Sequence, residues 1–155
     1  MKLNTTNGLS LEISESLIVE LSEIGQKHYP DEFGGFLLGR YSSDFKTLFV
    51  VEYLLPIKYK GQPYSFERST DGLIETFNQL FSERNIYYVG EWHTHPNGSV
   101  QFSSTDLNAM IEVANCPTVS ITNPVLLILS LSKLKLNDFE IYLLKNNTLI
   151  NYEKS

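Results

Sequence analysis

Apolar residues recur at helical spacing in three segments of the chain. The first covers residues 14–28, which Ser14 can cap and Pro30 can end. The second covers about 70–84, and the third covers 104–114. Their apolar faces consist, in order, of Leu17, Leu21, Ile24 and His28; of Leu73, Ile74, Phe77, Leu80 and Phe81; and of Leu107, Met110, Ile111 and Ala114. The pattern predicts three amphipathic helices.

Short runs rich in β-branched and aromatic residues lie between these segments and predict strands. They cover residues 36–41, 48–55, 86–93, 125–131, 139–144 and 149–152. Residues 58–69 contain Gly61, Pro63 and many polar side chains, so they are predicted to form a loop, while Asn146-Asn147 suits a turn. The element order is helix, two strands, helix, strand, helix and two or three strands. It is typical of an α/β layered domain in which helices flank a mixed sheet, and the length fits one domain over 1–155.

Composition and charge exclude several classes of function. The chain has 42% apolar residues, one cysteine and a formal net charge of −6. Nucleic-acid binders carry basic patches, so this charge argues against nucleic acid as the partner. No apolar run reaches the ~18 residues of a membrane span, and the N-terminus lacks the apolar core of a signal peptide. Because no intrachain disulfide is possible either, we expect a cytoplasmic protein without a membrane partner.

The strongest chemical signal is the His-Thr-His-Pro sequence at 93–96, followed by Asp106. Side chains two residues apart in a strand point to the same face, so His93 and His95 can reach one ion. Pro96 should end the strand, and Asp106 should lie in the first turn of the third helix. Imidazole and carboxylate groups suit zinc, and three protein ligands leave a fourth position for water. The spacing therefore predicts a zinc site formed by these three side chains.

Two further residues could take part in hydrolysis at such a site. Ser103 lies three residues before Asp106, where it can cap the helix, stabilise the oxyanion of a tetrahedral intermediate, or do both. A water that attacks a carbonyl needs a carboxylate to accept its proton and deliver it to the leaving amine. Glu32 is the candidate for this base, because it stands just before an apolar strand that could lie beside the histidines.

Together these residues resemble the JAMM motif of the JAB/MPN metalloprotease family. The resemblance rests on Glu32, the His-Thr-His-Pro sequence, Ser103 and Asp106, and it extends over residues 14–145. The stretch 30–39 is similar to the glutamate segment of the family, which reads Pro-x-Glu-x-x-Gly-x-Leu-Leu-Gly here. The resemblance implies the MPN fold, which is layered like that of cytidine deaminases and has three helices flanking a mixed sheet.

The same resemblance implies a zinc-dependent isopeptidase or peptidase that cleaves after the C-terminal glycine of ubiquitin or a ubiquitin-like protein. One zinc ion per chain would be bound by His93, His95 and Asp106, with Glu32 as the general acid/base and Ser103 supporting the oxyanion. The Gly-Glu-Trp-His-Thr-His-Pro sequence is most similar to the compact prokaryotic JAB proteins. Some of these stand in bacterial anti-phage defence operons beside E1- and E2-like enzymes, which implies such enzymes as partners.

Phe66 and Arg68 are candidates for contact with the substrate tail, because they lie in the predicted loop 58–69, where a tail could pass. Arg68 could equally be a solvated loop charge. The loop is short, so we expect a substrate tail to bind mainly along a sheet edge, as an added strand.

Four other residues have chemically active side chains that we interpret as structural. Trp92 and Glu91 are both expected to point away from His93, Trp92 into the core and Glu91 as a strand-face residue that is not the base. His28 is interpreted as a helix-end residue rather than a fourth ligand. Cys116 is interpreted as a buried structural thiol, because no histidine is left to activate it.

Two other functions stay open at this point. The chain could be a non-catalytic MPN-like binding module, although every ligand and the base are present. It could also be a peptidase that frees the C-terminal diglycine of a sulfur-carrier protein or precursor. Distant relatives of the fold act on DNA, but the net charge of −6 argues against that role.

Overall fold

The computed structural model describes residues 1–116, 121 and 123–154, and it confirms the three predicted helices. They are α1 (Glu15–Gln26), α2 (Ile74–Arg84) and α3 (Ser104–Asn115). Ser14 caps α1, since its Oγ accepts a hydrogen bond from the Leu17 N–H at 3.1 Å. Helix α2 begins four residues later than predicted, because Gly72 has a φ of +82°, outside the helical range. None of the described helices is long and apolar enough to cross a membrane.

The strands of the described residues form one large sheet and one small sheet. They are β1 (Lys2–Asn4), β2 (Ser10–Ile13), β3 (Gly34–Tyr41), β4 (Thr47–Leu54), β5 (Tyr59–Gln62), β6 (Ser65–Arg68), β7 (Tyr87–Pro96), β8 (Val125–Leu131), β9 (Leu136–Lys145), β10 (Thr148–Asn151) and β11 (Glu153–Lys154). The large sheet has the order β10-β9-β8-β7-β3-β4-β2-β1-β11, and β5 pairs with β6. The large sheet is mixed, with β2–β4 and β7–β8 parallel and its other pairs antiparallel. The predicted α/β class with a mixed sheet and three helices is confirmed.

Two parts of the chain form strands that the sequence pattern did not indicate. Residues 58–69, predicted to be a loop, contain the antiparallel hairpin of β5 and β6. Its side chains are mostly exposed, so the apolar alternation that marks a half-buried strand is absent from its sequence. The short N-terminal strands β1 and β2 extend the sheet beyond β4.

The large sheet is covered on both faces around β8. Leu127 and Leu129 pack in the cluster that contains the apolar face of α1, whereas Leu126 and Ile128 pack with Met110 of α3. The neighbouring strand β7 alternates in the same way, and Trp92 is 1% exposed within the α1 cluster. The odd-numbered residues at the end of β7 therefore face α3.

The two ends of the large sheet come together at Tyr152. Strand β10 ends at Asn151 and β11 begins at Glu153, so the outermost strands of the sheet are one residue apart in the chain. Tyr152 is buried, and its N–H donates to the Ile141 carbonyl at 2.8 Å. Because β10 and β11 are the two edge strands of this sheet, the sheet must curl until its two edges lie beside each other.

Candidate metal centre and active site

His93 and His95 lie at the end of β7 and point together toward α3. Their Nε2 atoms are 3.1 Å apart, and both rings are half-buried. The Nδ1 of His95 lies 2.8 Å from the Ser99 carbonyl oxygen, which can only accept a hydrogen bond. In the neutral ring the proton is therefore on Nδ1, and the Nε2 lone pair is directed at His93. Hydrogen bonds of this kind orient metal-binding histidines in proteins.

Asp106 reaches both histidines from the first turn of α3. Its Oδ1 lies 3.3 Å from the His93 Nε2, and its Oδ2 lies 3.4 Å from the His95 Nε2. A capping box fixes this carboxylate, because the Ser103 N–H donates to Oδ2 at 2.8 Å and the Asp106 N–H donates to the Ser103 Oγ at 3.1 Å. Burial opposes ionisation of Asp106, but its contacts with the two histidines outweigh burial and hold its pKa well below the usual range.

Glu32 approaches the same point from the segment before β3. It is 8% exposed, and its Oε1 lies 3.7 Å from the His95 Nε2. Burial raises the pKa of this carboxyl group, and attraction to the two histidines offsets the rise only in part. The Glu32 N–H donates to the Gln62 carbonyl at 2.8 Å, so the β5–β6 hairpin supports the backbone here.

The donor atoms lie near the spacing that a tetrahedral metal ion requires. Zinc bonds of 2.0–2.1 Å require ligand atoms about 3.3–3.4 Å apart. The Nε2 atoms of His93 and His95 lie 3.1 Å apart. The Asp106 contacts of 3.3 and 3.4 Å are made by different oxygens, Oδ1 to His93 and Oδ2 to His95. Ligand atoms of Glu32 and the two histidines also lie within 4.8 Å of one another, so the cluster offers a fourth donor. Two imidazoles and a carboxylate are a donor set that zinc binds well.

A comparison of the chain with models of protein families identifies the family to which this site belongs. The model describes prokaryotic homologs of the JAB domain, and it matches residues 14–142. The chain belongs to this family. The matched range includes Glu32, both histidines and Asp106, so the prokaryotic JAB domain contains the whole cluster.

Individual relatives agree with this assignment. The chain is 33% identical over 121 residues to the CD-NTase/cGAS isopeptidase of Enterobacter hormaechei subsp. hoffmannii, and the match covers 77% of the chain and 67% of that relative. A solution structure of a Desulfitobacterium hafniense protein matches 92% of the chain and 90% of its own length, with a TM-score of 0.69 and 18% identity. One of a Salinibacter ruber protein matches 92% of the chain and 86% of its own length, with a TM-score of 0.58 and 18% identity. These two likenesses show that the overall fold is shared.

Glu91 occupies the same face of β7 as the two histidines, so the expectation that it points away from His93 is wrong. Residues two apart in a strand share a face, and that rule applies to Glu91 as much as to His95. Its carboxylate accepts hydrogen bonds from the Arg68 Nε and from the Tyr88 hydroxyl, the latter at 2.8 Å. Tyr88 can reach it because a β-bulge leaves Val89 unpaired between the Leu37–Gly90 and Leu38–Tyr88 pairs and turns Tyr88 to this face.

Phe66 and Arg68 both line the cleft that opens onto Glu32 and the histidines. The Arg68 side chain is 20% exposed and pairs with Glu91, which overturns the alternative of a solvated loop charge. Burial lowers the pKa of Arg68, but the contact with Glu91 outweighs this and raises it. Tyr64, at the hairpin tip, also lines the cleft and is 94% exposed. No pattern in the sequence indicated Tyr64, because the hairpin itself was not predicted.

The other three structural interpretations differ in outcome. Trp92 is buried in the core, as expected. His28 lies just beyond α1, stacked on Phe33 with ring centroids 3.7 Å apart, and the described residues do not place it with the metal-binding cluster. Cys116 is half-buried at the C-cap of α3, so it is less buried than expected.

The cap that Ser103 forms on α3, and through it the position of Asp106 in this JAB domain, can be tested by mutation. Ser103→Ala should lower the free energy of unfolding of the metal-free protein by about 1 kcal/mol, because it removes the hydroxyl that caps α3. Ser103→Thr retains that hydroxyl and should stay near the wild type. Urea unfolding of the three proteins measures the difference. Equal stabilities of the Ala and Thr variants would contradict the capping role.

Proposed function

We propose that this protein is a zinc-dependent isopeptidase that cleaves after the C-terminal glycine of a ubiquitin-like protein. One observation carries the proposal: two histidines and an aspartate lie near the spacing of a tetrahedral metal site, with a buried glutamate beside them. Membership of the prokaryotic JAB family supports it, as does the isopeptidase name of a relative. The finer fold assignment, the MPN arrangement layered like cytidine deaminases, belongs to the same proposal.

In this proposal His93, His95 and Asp106 hold one zinc ion per chain. Asp106 is preferred to Glu32 as the third ligand, because its oxygens contact both histidines, whereas Glu32 lies 3.7 Å from one of them. Zinc, when bound, supplies Lewis acidity, which makes a water molecule more acidic and polarises a carbonyl group. The hydrogen bond from His95 to the Ser99 carbonyl keeps its Nε2 available as a ligand.

Glu32 is the proposed general acid/base. It accepts a proton from the attacking water and returns it to the amine that leaves as the isopeptide bond breaks. In the metal-free protein burial raises its pKa, and a zinc ion beside it would act in the opposite direction by stabilising the carboxylate. Ser103 is proposed to support the oxyanion. Its Oγ accepts the Asp106 N–H as a helix cap, and its own hydroxyl proton can still be donated to a substrate oxygen.

The substrate tail is proposed to enter along the cleft that Phe66 and Arg68 line. Phe66 packs edge-on against Phe33, with ring centroids 5.6 Å apart, and it offers an apolar surface beside Glu32. The relative is named for CD-NTase/cGAS, which supports a CD-NTase as the protein that carries the conjugate. E1- and E2-like enzymes in a cytoplasmic anti-phage system would then attach what this enzyme removes.

Chelation provides the direct test. The substrate is a CD-NTase joined through a lysine to a ubiquitin-like protein, and the product is measured by gel electrophoresis and mass spectrometry. We expect the wild type to release both proteins, a chelator to abolish release, and added zinc to restore it.

Other outcomes would select the alternative functions. Release of a short peptide extension after the diglycine, without cleavage of the lysine conjugate, would favour a processing peptidase for a sulfur-carrier protein. Tight binding without cleavage, unchanged by zinc, would favour a binding module.

A further inference from the structure

Thr94 lies between the two histidines, yet its side chain lies on the opposite face of β7. It is 0% exposed. Its N–H donates to the Phe33 carbonyl at 2.8 Å, and its Oγ1 accepts the Phe33 N–H at 3.0 Å. Thr94 thus makes hydrogen bonds to both the carbonyl and the N–H of Phe33, the residue that follows Glu32.

This pairing differs from the ladder that precedes it. In an antiparallel pair of strands every second pair of facing residues exchanges two N–H to carbonyl bonds, and β3 and β7 are paired as far as Gly34 and His93. At the next pair the hydroxyl of Thr94 replaces a backbone carbonyl as the acceptor for Phe33. One residue earlier in the chain, the Glu32 N–H no longer faces β7 and donates instead to the Gln62 carbonyl of the hairpin. The backbone N–H groups of Glu32 and Phe33 are therefore fixed by two different elements.

Helix α1 holds the Thr94 side chain from the other side. A Cβ built on Gly25 would lie 2.4 Å from the Thr94 Cγ2, so this helix position has room only for hydrogen. The close contact leaves the threonine methyl group against α1 and its hydroxyl toward Phe33. A rigid element therefore determines where the hydroxyl points.

We propose that Thr94 is a positioning residue that fixes Glu32 relative to His93 and His95. Its hydroxyl ties the Phe33 backbone to the strand that carries the histidines, so the carboxylate and the metal-binding rings share one rigid support. The inference rests on the proposed function to the extent that Glu32 acts as the base. The tie between Thr94 and Phe33 can be tested without any activity.

Thr94→Val and Thr94→Ser separate the hydroxyl from the methyl group. Valine keeps the shape but offers no acceptor, whereas serine keeps the acceptor and loses the methyl group beside Gly25. By nitrogen-15 NMR we expect the Phe33 amide to exchange at least ~10-fold faster in the Val variant than in the Ser variant. In conjugate cleavage we expect kcat to fall about 10- to 100-fold in the Val variant, with KM and zinc content nearly unchanged. The Ser variant should retain most of the wild-type kcat.

If the Thr94→Val variant does not fold, a second pair of variants gives the same test. Thr94→Ala and Thr94→Ser both lack the methyl group and differ only in the hydroxyl, so the same contrast in amide exchange and kcat is expected. Equal exchange at Phe33 and equal kcat within each pair would overturn the proposal. A contrast in amide exchange without cleavage by the wild type would support the tie to Phe33 and reject the isopeptidase function instead.

Discussion

Glu32→Gln is expected to leave the protein folded and loaded with zinc while its turnover falls about 10²- to 10⁴-fold, the usual contribution of a general acid/base. Glutamine has nearly the shape of glutamate, so the buried position and the hydrogen bond of the Glu32 N–H to Gln62 should persist. The amide cannot accept the proton of the attacking water. Single-turnover cleavage of the lysine-linked conjugate and elemental analysis of zinc measure the two effects separately.

Glu23→Gln is the matched control for this variant, because Glu23 is an exposed residue of α1 outside the cleft. It should cleave at the wild-type rate. Full activity of Glu32→Gln would exclude Glu32 as the base. Loss of zinc from Glu32→Gln would mean that the ion is held by Glu32, His93 and His95, the other set of donors that the cluster offers.

His95→Ala is expected to reduce zinc affinity more than 100-fold and to abolish cleavage. Loss of an outer hydrogen-bond partner alone lowers metal affinity by about 10- to 100-fold, and removal of a ligand should exceed that. His95 also contacts Asp106 and Glu32, so its loss removes the centre of the cluster. Competition with a chromogenic chelator measures the affinity.

His28→Ala is the control for histidine replacement as such. His28 is stacked on Phe33 outside the cluster, so this variant should bind zinc with wild-type affinity. Equal zinc affinity of His95→Ala and the wild type would contradict the proposed site. Equal loss of zinc in both variants would point to general destabilisation rather than to a lost ligand.

Local sequence signals predicted the helices and the main strands well. Ser14 caps α1, and the Asn146-Asn147 turn forms with both residues at positive φ, as a tight hairpin turn requires. The run at 125–131 is buried throughout and forms β8 with the predicted bounds. The facing of His93 and His95 followed from the period of a strand, which depends on no other part of the chain.

Features that depend on pairing between distant segments could not be predicted in this way. The bulge at Val89 is defined by the register of β7 against β3, and it alone brings Tyr88 to the face of Glu91. The β5–β6 hairpin is held by contacts to Phe33 and Glu32, while its own side chains are largely exposed. The error about Glu91 has another origin, because the same strand period that placed the histidines also placed Glu91 beside them.

The junction at Tyr152 has a consequence for how the protein is made. A ribosome delivers β1 first and β11 last, yet these two strands are neighbours in the finished sheet. The metal-binding residues leave the ribosome well before β11 exists. Strand β1 can pair with β2 early, but its other edge has no partner until β11 is made. Closure is thus a late step with a long loop to close, so the edge of β1 is open to wrong partners on a nascent chain. A fusion placed directly after β11 would also lie beside β1, where it can hinder that final pairing.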